Sequence, residues 1–294
     1  MIIPTVPSLS DVTPSVRRTD GVFFTGLGFA EGIRWREGMV YVSDIPAGTV
    51  HRIGADGSDE IVAEIPGSPS GLGFLPDGDL LVVSMRERVV YRRSGTQLHV
   101  HADLGHLVGS RLNDMVVAPD GHAYVSSFGY EEPPRRSTSV VHVRPDGSAE
   151  MAVGDLWRPN GLAITPDRRL VVAETRIHQL SEFTLRADGT PVEPRVLARL
   201  PKGSWADGIT ADVEGGVWVA DPKGLRCVRV NRQGQLTDVI DTSPLSSITC
   251  ALGGPDKRTL YIVVSELGDP SALLARRQAR IEHVEVAVPG ADSP

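Results

Sequence analysis

Along most of this chain, apolar residues alternate with polar ones or gather in short runs of four to six, and turn residues punctuate the runs. That is the pattern of half-buried and fully buried β-strands. Helical periodicity is nearly absent; only "SALLARRQARI" (Ser271–Ile281) hints at a turn or two, and it is read as a link between strands. The pattern also repeats. "EGIRWREGMVYVSD" begins at Glu31, "SGLGFLPDGDLLVVS" at Ser70 and "NDMVVAPDGHAYVSS" at Asn113. "NGLAITPDRRLVVAE" follows at Asn160, "DGITADVEGGVWVAD" at Asp207 and "TCALGGPDKRTLYIV" at Thr249. These starts lie 39 to 47 residues apart.

Within each unit a short apolar stretch enters a Pro-Asp-Gly turn or a near equivalent and leaves as a β-rich stretch. A second hairpin signal usually follows, as in "RIGADGSDEIV" or "VHVRPDGSAEM". Two hairpins per unit make four strands, and six such units predict a six-bladed all-β propeller with four antiparallel strands per blade. The strand-like stretches "VFFTGLGF" and "RIEHVEVAV" lie near opposite ends of the chain. They are expected to complete one blade together and so close the ring. Residues 1–20 read as a Pro-punctuated leader, and residues 21–294 as a single propeller domain.

In a propeller the first strand of each blade runs along the central channel, so equivalent positions form a ring. The aligned residues are Glu31, Ser70, Asn113, Asn160, Asp207 and Thr249. All six carry oxygen. Hard donors converging on one axis suit Ca²⁺ or Mg²⁺, with Mn²⁺ or Zn²⁺ as permissive alternatives. Taken singly, Asn, Asp, Ser and Thr also begin strands by making local hydrogen bonds. Glu31 fits that account poorly.

Composition and motifs narrow the chemistry. The 294 residues carry a net charge of −7, with 40% hydrophobic and 23% charged residues, and no Lys/Arg stripe marks a nucleic-acid surface. No apolar run is long enough to span a bilayer, and the N-terminal stretch lacks the features of a secretory signal. A cytoplasmic protein is expected, with neither nucleic acid nor membrane as partner. Cys227 and Cys250 are too few for a disulfide scaffold and read as buried strand residues. No G-x-S-x-G elbow or H-E-x-x-H occurs, and no helix follows the glycine-rich "GLGFAEG" or "SGLGFLPDG". His99, His101 and His106 lack further ligands at metal spacing and read as a solvent-facing strand.

The stretches "AEGIRW", "RLNDMVVAPDGHAYVSSFG", "RPNGLAITPD", "VVAETRIHQLSEF", "ADGITADVEGGVWVA" and "RIEHVEVAVPGA" resemble the SMP-30/gluconolactonase/luciferin-regenerating-enzyme family over nearly the whole chain beyond residue 20. The chain departs modestly from that pattern: Ile33 stands where Pro is common, and the fourth turn reads "PDRR". The resemblance implies one divalent cation per chain, Ca²⁺ first, held by Glu31, Asn160 and Asp207. It implies Arg111 and Asn113 as substrate-binding residues and Asp207 as the catalytic base. The activity implied is hydrolysis of a small sugar or aliphatic lactone, a carboxylic ester, at a carbonyl polarised by the cation. A cation-held carboxylate is a weak base, so Asp207 either accepts the proton of the attacking water or orients a water already ionised at the ion. Asp114 is placed outside the site, on the opposite strand face from Asn113 by period-two alternation. The rim loop Tyr130–Thr138 matches no pattern. Two other readings stand beside the lactonase: a metal-independent propeller enzyme acting on a natural-product intermediate, and a non-catalytic binding propeller. A monomer or weak homo-oligomer is expected.

Overall fold

A computed structural model describes residues 13–129 and 138–291. Six sheets stand around one axis, and their innermost strands are Ala30–Arg36, Pro69–Phe74, Arg111–Val117, Pro159–Ile164, Ile209–Ala211 and Ser246–Gly253. Numbered from the first of these, blades 1 to 4 are each four consecutive antiparallel strands (residues 30–64, 69–103, 111–156 and 159–199). Blade 5 (residues 209–241) gains a fifth strand, because Ser15–Arg18 pairs in parallel with Leu236–Asp241. Blade 6 has three C-terminal strands, and Gly21–Leu27 adds antiparallel to Ala279–Glu285 as its outermost strand. The two ends of the chain thus complete one blade, as the terminal strand patterns predict.

Six apolar clusters hold the ring, one at each blade-to-blade interface. Leu81 and Val83 of blade 2 meet Met115 and Val125 of blade 3, and Ile33 and Val42 of blade 1 meet Leu27, Val263 and Ile281 of blade 6 at the closing seam. The other four interfaces are built alike. Fully burying each Val, Leu or Ile contributes roughly 1.5–3 kcal/mol, so the seam is stabilised by the same kind of packing as every other junction. Cys227 and Cys250 are free and buried in the cluster between blades 5 and 6. In the "PDRR" turn, Arg168 adopts φ 59°, the left-handed conformation that Gly78 and Gly121 supply in blades 2 and 3.

The segment read as a strand link does join two strands of blade 6, and it does so through the helix Pro270–Arg276. Asp269 caps that helix by accepting from the backbone amides of Ser271 and Ala272. Among the described residues no helix is long and apolar enough to cross a membrane.

One irregularity recurs where it matters. The inner strands of blades 1, 2, 3, 4 and 6 each slip register at or beside the ring position, between Glu31 and Arg34, Pro69 and Leu72, Leu112 and Met115, Pro159 and Leu162, and Ser247 and Thr249. A bulge of this kind bends the strand and suspends strict alternation. It also brings neighbouring inner strands very close. A Cβ on Gly32 would lie 2.2 Å from the carbonyl oxygen of Ser70, and one on Gly161 would lie 2.4 Å from that of Asp207. Glycine at these positions is a packing requirement.

Candidate active site in the channel

The six aligned residues converge on the axis, and five of them (Glu31, Ser70, Asn113, Asn160 and Thr249) are buried, with Asp207 half-buried. Side chains link four of them in series. Ser70 Oγ donates to Asn113 Oδ1 at 3.4 Å, Asn113 Nδ2 donates to Asn160 Oδ1 at 2.5 Å, and Asn160 Nδ2 donates to Asp207 Oδ1. The carboxamide that recurs at the same place in two repeats therefore relays one hydrogen bond from blade to blade. Thr249 Oγ1 is buried without a partner among the described residues.

Glu31 and Asp207 are the strained members. Burial, then the charges of Asp207 and Asp114, push the Glu31 carboxyl well above the usual carboxylate range. Asp207 is pushed up to about 8 by burial and by Asp114, against the opposing hydrogen bond from Asn160. Among the described residues neither carboxylate has a cationic partner in contact: Arg34, the buried guanidinium nearby, is spent on the Ile33 carbonyl at 2.7 Å, on Asp114 at 3.4 Å and on the Met115 carbonyl. Desolvated like charges raise each other's proton affinity unless a cation sits between them. Two carboxylates, adjacent carboxamides and an orphaned hydroxyl on one axis fit a hard divalent ion. Among the described residues no three of His, Cys, Asp and Glu gather as a metal-holding group, in the channel or outside it, so the donor set here rests on two carboxylates completed by carboxamide oxygen. Glu31, Asp207 and, through the remaining lone pair of its Oδ1, Asn160 are the residues that would hold the ion.

Asp114 requires a correction. The alternation argument sets it apart from the channel, but the bulge beside Asn113 removes that alternation. Asp114 is buried against Arg34, and its charge acts on both Glu31 and Asp207. It occupies the place after the ring residue where blades 1, 2, 4 and 5 have glycine, an exception visible in the aligned repeats. Burial pushes its own carboxyl up, with Arg34 opposing.

Three further carboxylates, overlooked in the repeats, anchor the loops that frame the channel mouth. Each ends the second strand of its blade. Asp44 accepts from the backbone amide of Gly28 at 2.8 Å, Glu174 from Trp157 at 2.8 Å and Asp221 from Trp205 at 2.8 Å. The aligned segments end in Asp44, Glu174 and Asp221, so the signal was present as an acidic residue closing an otherwise apolar strand.

Two positions before the ring residue the six blades carry Phe29, Ser68, Arg111, Arg158, Trp205 and Ser247. Arg158 stacks over Phe128 at 4.9 Å, and Lys223 lies over Trp205 at 5.1 Å. Three of these six, Phe29, Ser68 and Arg111, help to wall a cavity of about 230 Å³ at the mouth. The rest of its wall comes from Ile45–Pro46, Met85–Arg86 and the helix-bearing loop (Gly268, Pro270 and Leu273). Asn113, the other expected substrate contact, sits on the ring, two positions after Arg111. The rim loop 130–137 lies outside the described residues. His99 and His106 are exposed and His101 half-buried on and beside the outer strand of blade 2, away from the ring.

Known proteins share this fold and its sequence pattern. Residues 29–266 match the SMP-30/Gluconolactonase/LRE-like region. A 6-deoxy-6-sulfogluconolactonase from Pseudomonas putida is 30% identical over 78% of this chain and 80% of its own. An L-arabinolactonase from Azospirillum brasilense is 27% identical over 81% of each chain. Among solved structures, a calcium-binding protein, regucalcin, from Agrobacterium tumefaciens superposes with a TM-score of 0.83 at 22% identity, covering 96% of this chain and 99% of that one. The chain belongs to the SMP-30/gluconolactonase/LRE-like family.

Proposed function

We propose that this protein is a divalent-cation-dependent lactonase that opens a small sugar or aliphatic lactone. The observation that carries this reading is the ring of hydrogen-bonded Ser70, Asn113, Asn160 and Asp207 together with Glu31, in which the Glu31 and Asp207 carboxylates act on each other electrostatically. In blades 1, 2 and 3 the preceding residues Phe29, Ser68 and Arg111 wall a cavity of about 230 Å³. The names of the lactone-hydrolysing relatives support it. They span a sulfonated hexose lactone and an uncharged pentose lactone, so kinship does not set the charge of the substrate's far end.

A cation bound by Glu31, Asn160 and Asp207 supplies Lewis acidity toward the lactone carbonyl and toward water. Calcium is the first choice because the donors are carboxylate and carboxamide oxygens, with Mg²⁺, Mn²⁺ and Zn²⁺ as alternatives. The protein's own groups do the rest. Asp207 accepts the proton of the attacking water, and the hydrogen bond from Asn160 fixes which of its oxygens faces the reacting carbon. Asn113, held between Ser70 and Asn160, presents a rigid carboxamide to substrate hydroxyls. Arg111 offers its planar fork to oxygens on the part of the substrate in the cavity. Water adds to the carbonyl carbon, the ring C–O bond breaks, the ring oxygen takes up a proton, and a carboxylic acid is released. The acid makes the reaction measurable with a pH indicator.

The test is turnover of a lactone panel before and after chelation, with readdition of single metals. Loss on chelation and in Glu31→Gln and Asp207→Asn supports the reading. Full activity of the stripped protein would falsify the cation's role, and inertness of the metal-loaded protein on every lactone would remove the lactonase assignment.

A further inference from the structure

The cavity at the channel mouth has a charge opposite to that of the molecule. The chain carries −7 overall, yet the charged side chains walling this cavity among the described residues are Arg86 and Arg111, with no carboxylate. Arg86 follows Met85 in the loop after the second strand of blade 2. Its backbone amide donates to the Gly67 carbonyl at 2.9 Å, which fixes where the side chain starts. Its guanidinium has no carboxylate partner among the described residues, whereas neighbouring acids are committed elsewhere: Glu87 accepts from the Tyr91 hydroxyl, Glu266 pairs with Arg276, and Asp269 caps the helix. A solvated arginine near a desolvated apolar wall, here Phe29, Met85 and Leu273, is a group awaiting an anion.

Position sets which part of a substrate it would meet. Phe29, Ser68 and Arg111 stand two residues before Glu31, Ser70 and Asn113, so the cavity wall continues directly into the ring in blades 1, 2 and 3. A lactone whose carbonyl lies at the ring would therefore extend its far carbons into this cavity. We infer that the cavity is a subsite for an anionic substituent remote from the scissile carbonyl, a carboxylate or sulfonate on the terminal carbon, with Arg86 as its specificity-determining residue. The inference rests on the lactonase reading for the orientation of the substrate, while the anion preference rests on the cavity alone. With a divalent ion bound, the charges of Glu31 and Asp207 would be balanced, so such a substituent would meet no net repulsion from them.

The test compares D-glucaro-1,4-lactone, its neutral methyl ester and D-glucono-1,4-lactone in the calcium-loaded protein. The ratio of kcat/KM for the carboxylate over the ester is expected to exceed one by roughly tenfold, carried by KM. It is expected to fall toward one in Arg86→Gln, to recover partly in Arg86→Lys, and to shrink with added salt. A wild-type ratio near one, or a ratio that Arg86→Gln leaves unmoved, overturns the subsite. Binding of D-glucuronate against D-glucuronamide, measured by calorimetry without turnover, decides the same question if no lactone is hydrolysed. Preference for glucuronate that disappears in Arg86→Gln supports the subsite, and equal binding overturns it.

Discussion

Arg34 of blade 1 and Asp114 of blade 3 form a buried ion pair at 3.4 Å beneath the ring, joining positions 80 residues apart across the blade between them. Arg34 also donates to the Met115 carbonyl, so one guanidinium ties two inner strands together.

Breaking that pair from one side strands a buried charge. Arg34→Met and Asp114→Asn are each expected to lose about 3–5 kcal/mol in denaturant unfolding, and the double variant to lose less than the sum of the two. Strict additivity would mean that the two groups do not interact in solution.

The raised carboxyls make stability depend on pH in a defined direction. With folded values above the unfolded ones, Glu31 and Asp207 bind more protons in the folded state, so the metal-free protein loses stability as pH rises from the ordinary carboxylate range toward about 8. Thermal scans in chelator at pH 5, 6, 7 and 8 should show a falling Tm. Calcium should raise Tm more at pH 8 than at pH 5, because protons compete less for the two carboxylates as pH rises. Asp207→Asn should stabilise the chelated protein at pH 8 while abolishing turnover. A Tm in chelator that climbs through this window would sink the account.

Close approach of the inner strands predicts intolerance to a single methyl. In Gly161→Ala the added carbon meets the Asp207 carbonyl oxygen at 2.4 Å and the Ile209 amide nitrogen at 2.7 Å, both backbone atoms with little room to yield. A cost of about 1–3 kcal/mol is expected. Because the Gly161 amide also donates to that carbonyl at 3.2 Å, calcium affinity measured by calorimetry should fall with it.

Ring closure can be tested by shortening the chain. Deleting residues 1–12 leaves Gly21–Leu27 in place, whereas deleting residues 1–27 exposes the edge of Ala279–Glu285 and removes Leu27 from the seam cluster. The shorter deletion should keep a cooperative thermal transition. The longer one should aggregate or unfold at much lower temperature, as an unpaired edge in an open ring invites. Equal melting of the two would show that the N-terminal strand contributes nothing to closure.

Much of this molecule is written in local signals. Alternation, Pro-Asp-Gly turns and even spacing specify hairpins, and hairpins at one period specify blades, because each turn and each strand face is decided within a few residues. Once six blades close, Glu31, Ser70, Asn113, Asn160, Asp207 and Thr249 have nowhere to be but the axis. The place of Asp114 was not legible in this way. It depends on a bulge that accompanies the close approach of neighbouring inner strands, and no short stretch of chain records how closely strands 40 residues away will pack. The same holds for the elevated proton affinity of Glu31 and Asp207, which arises from water excluded by the assembled ring, and for the cavity beside Arg86, whose walls come from blades 1, 2, 3 and 6. Sequence alone determined which residues meet; only the closed tertiary structure decided how dry, how charged and how open their meeting place is.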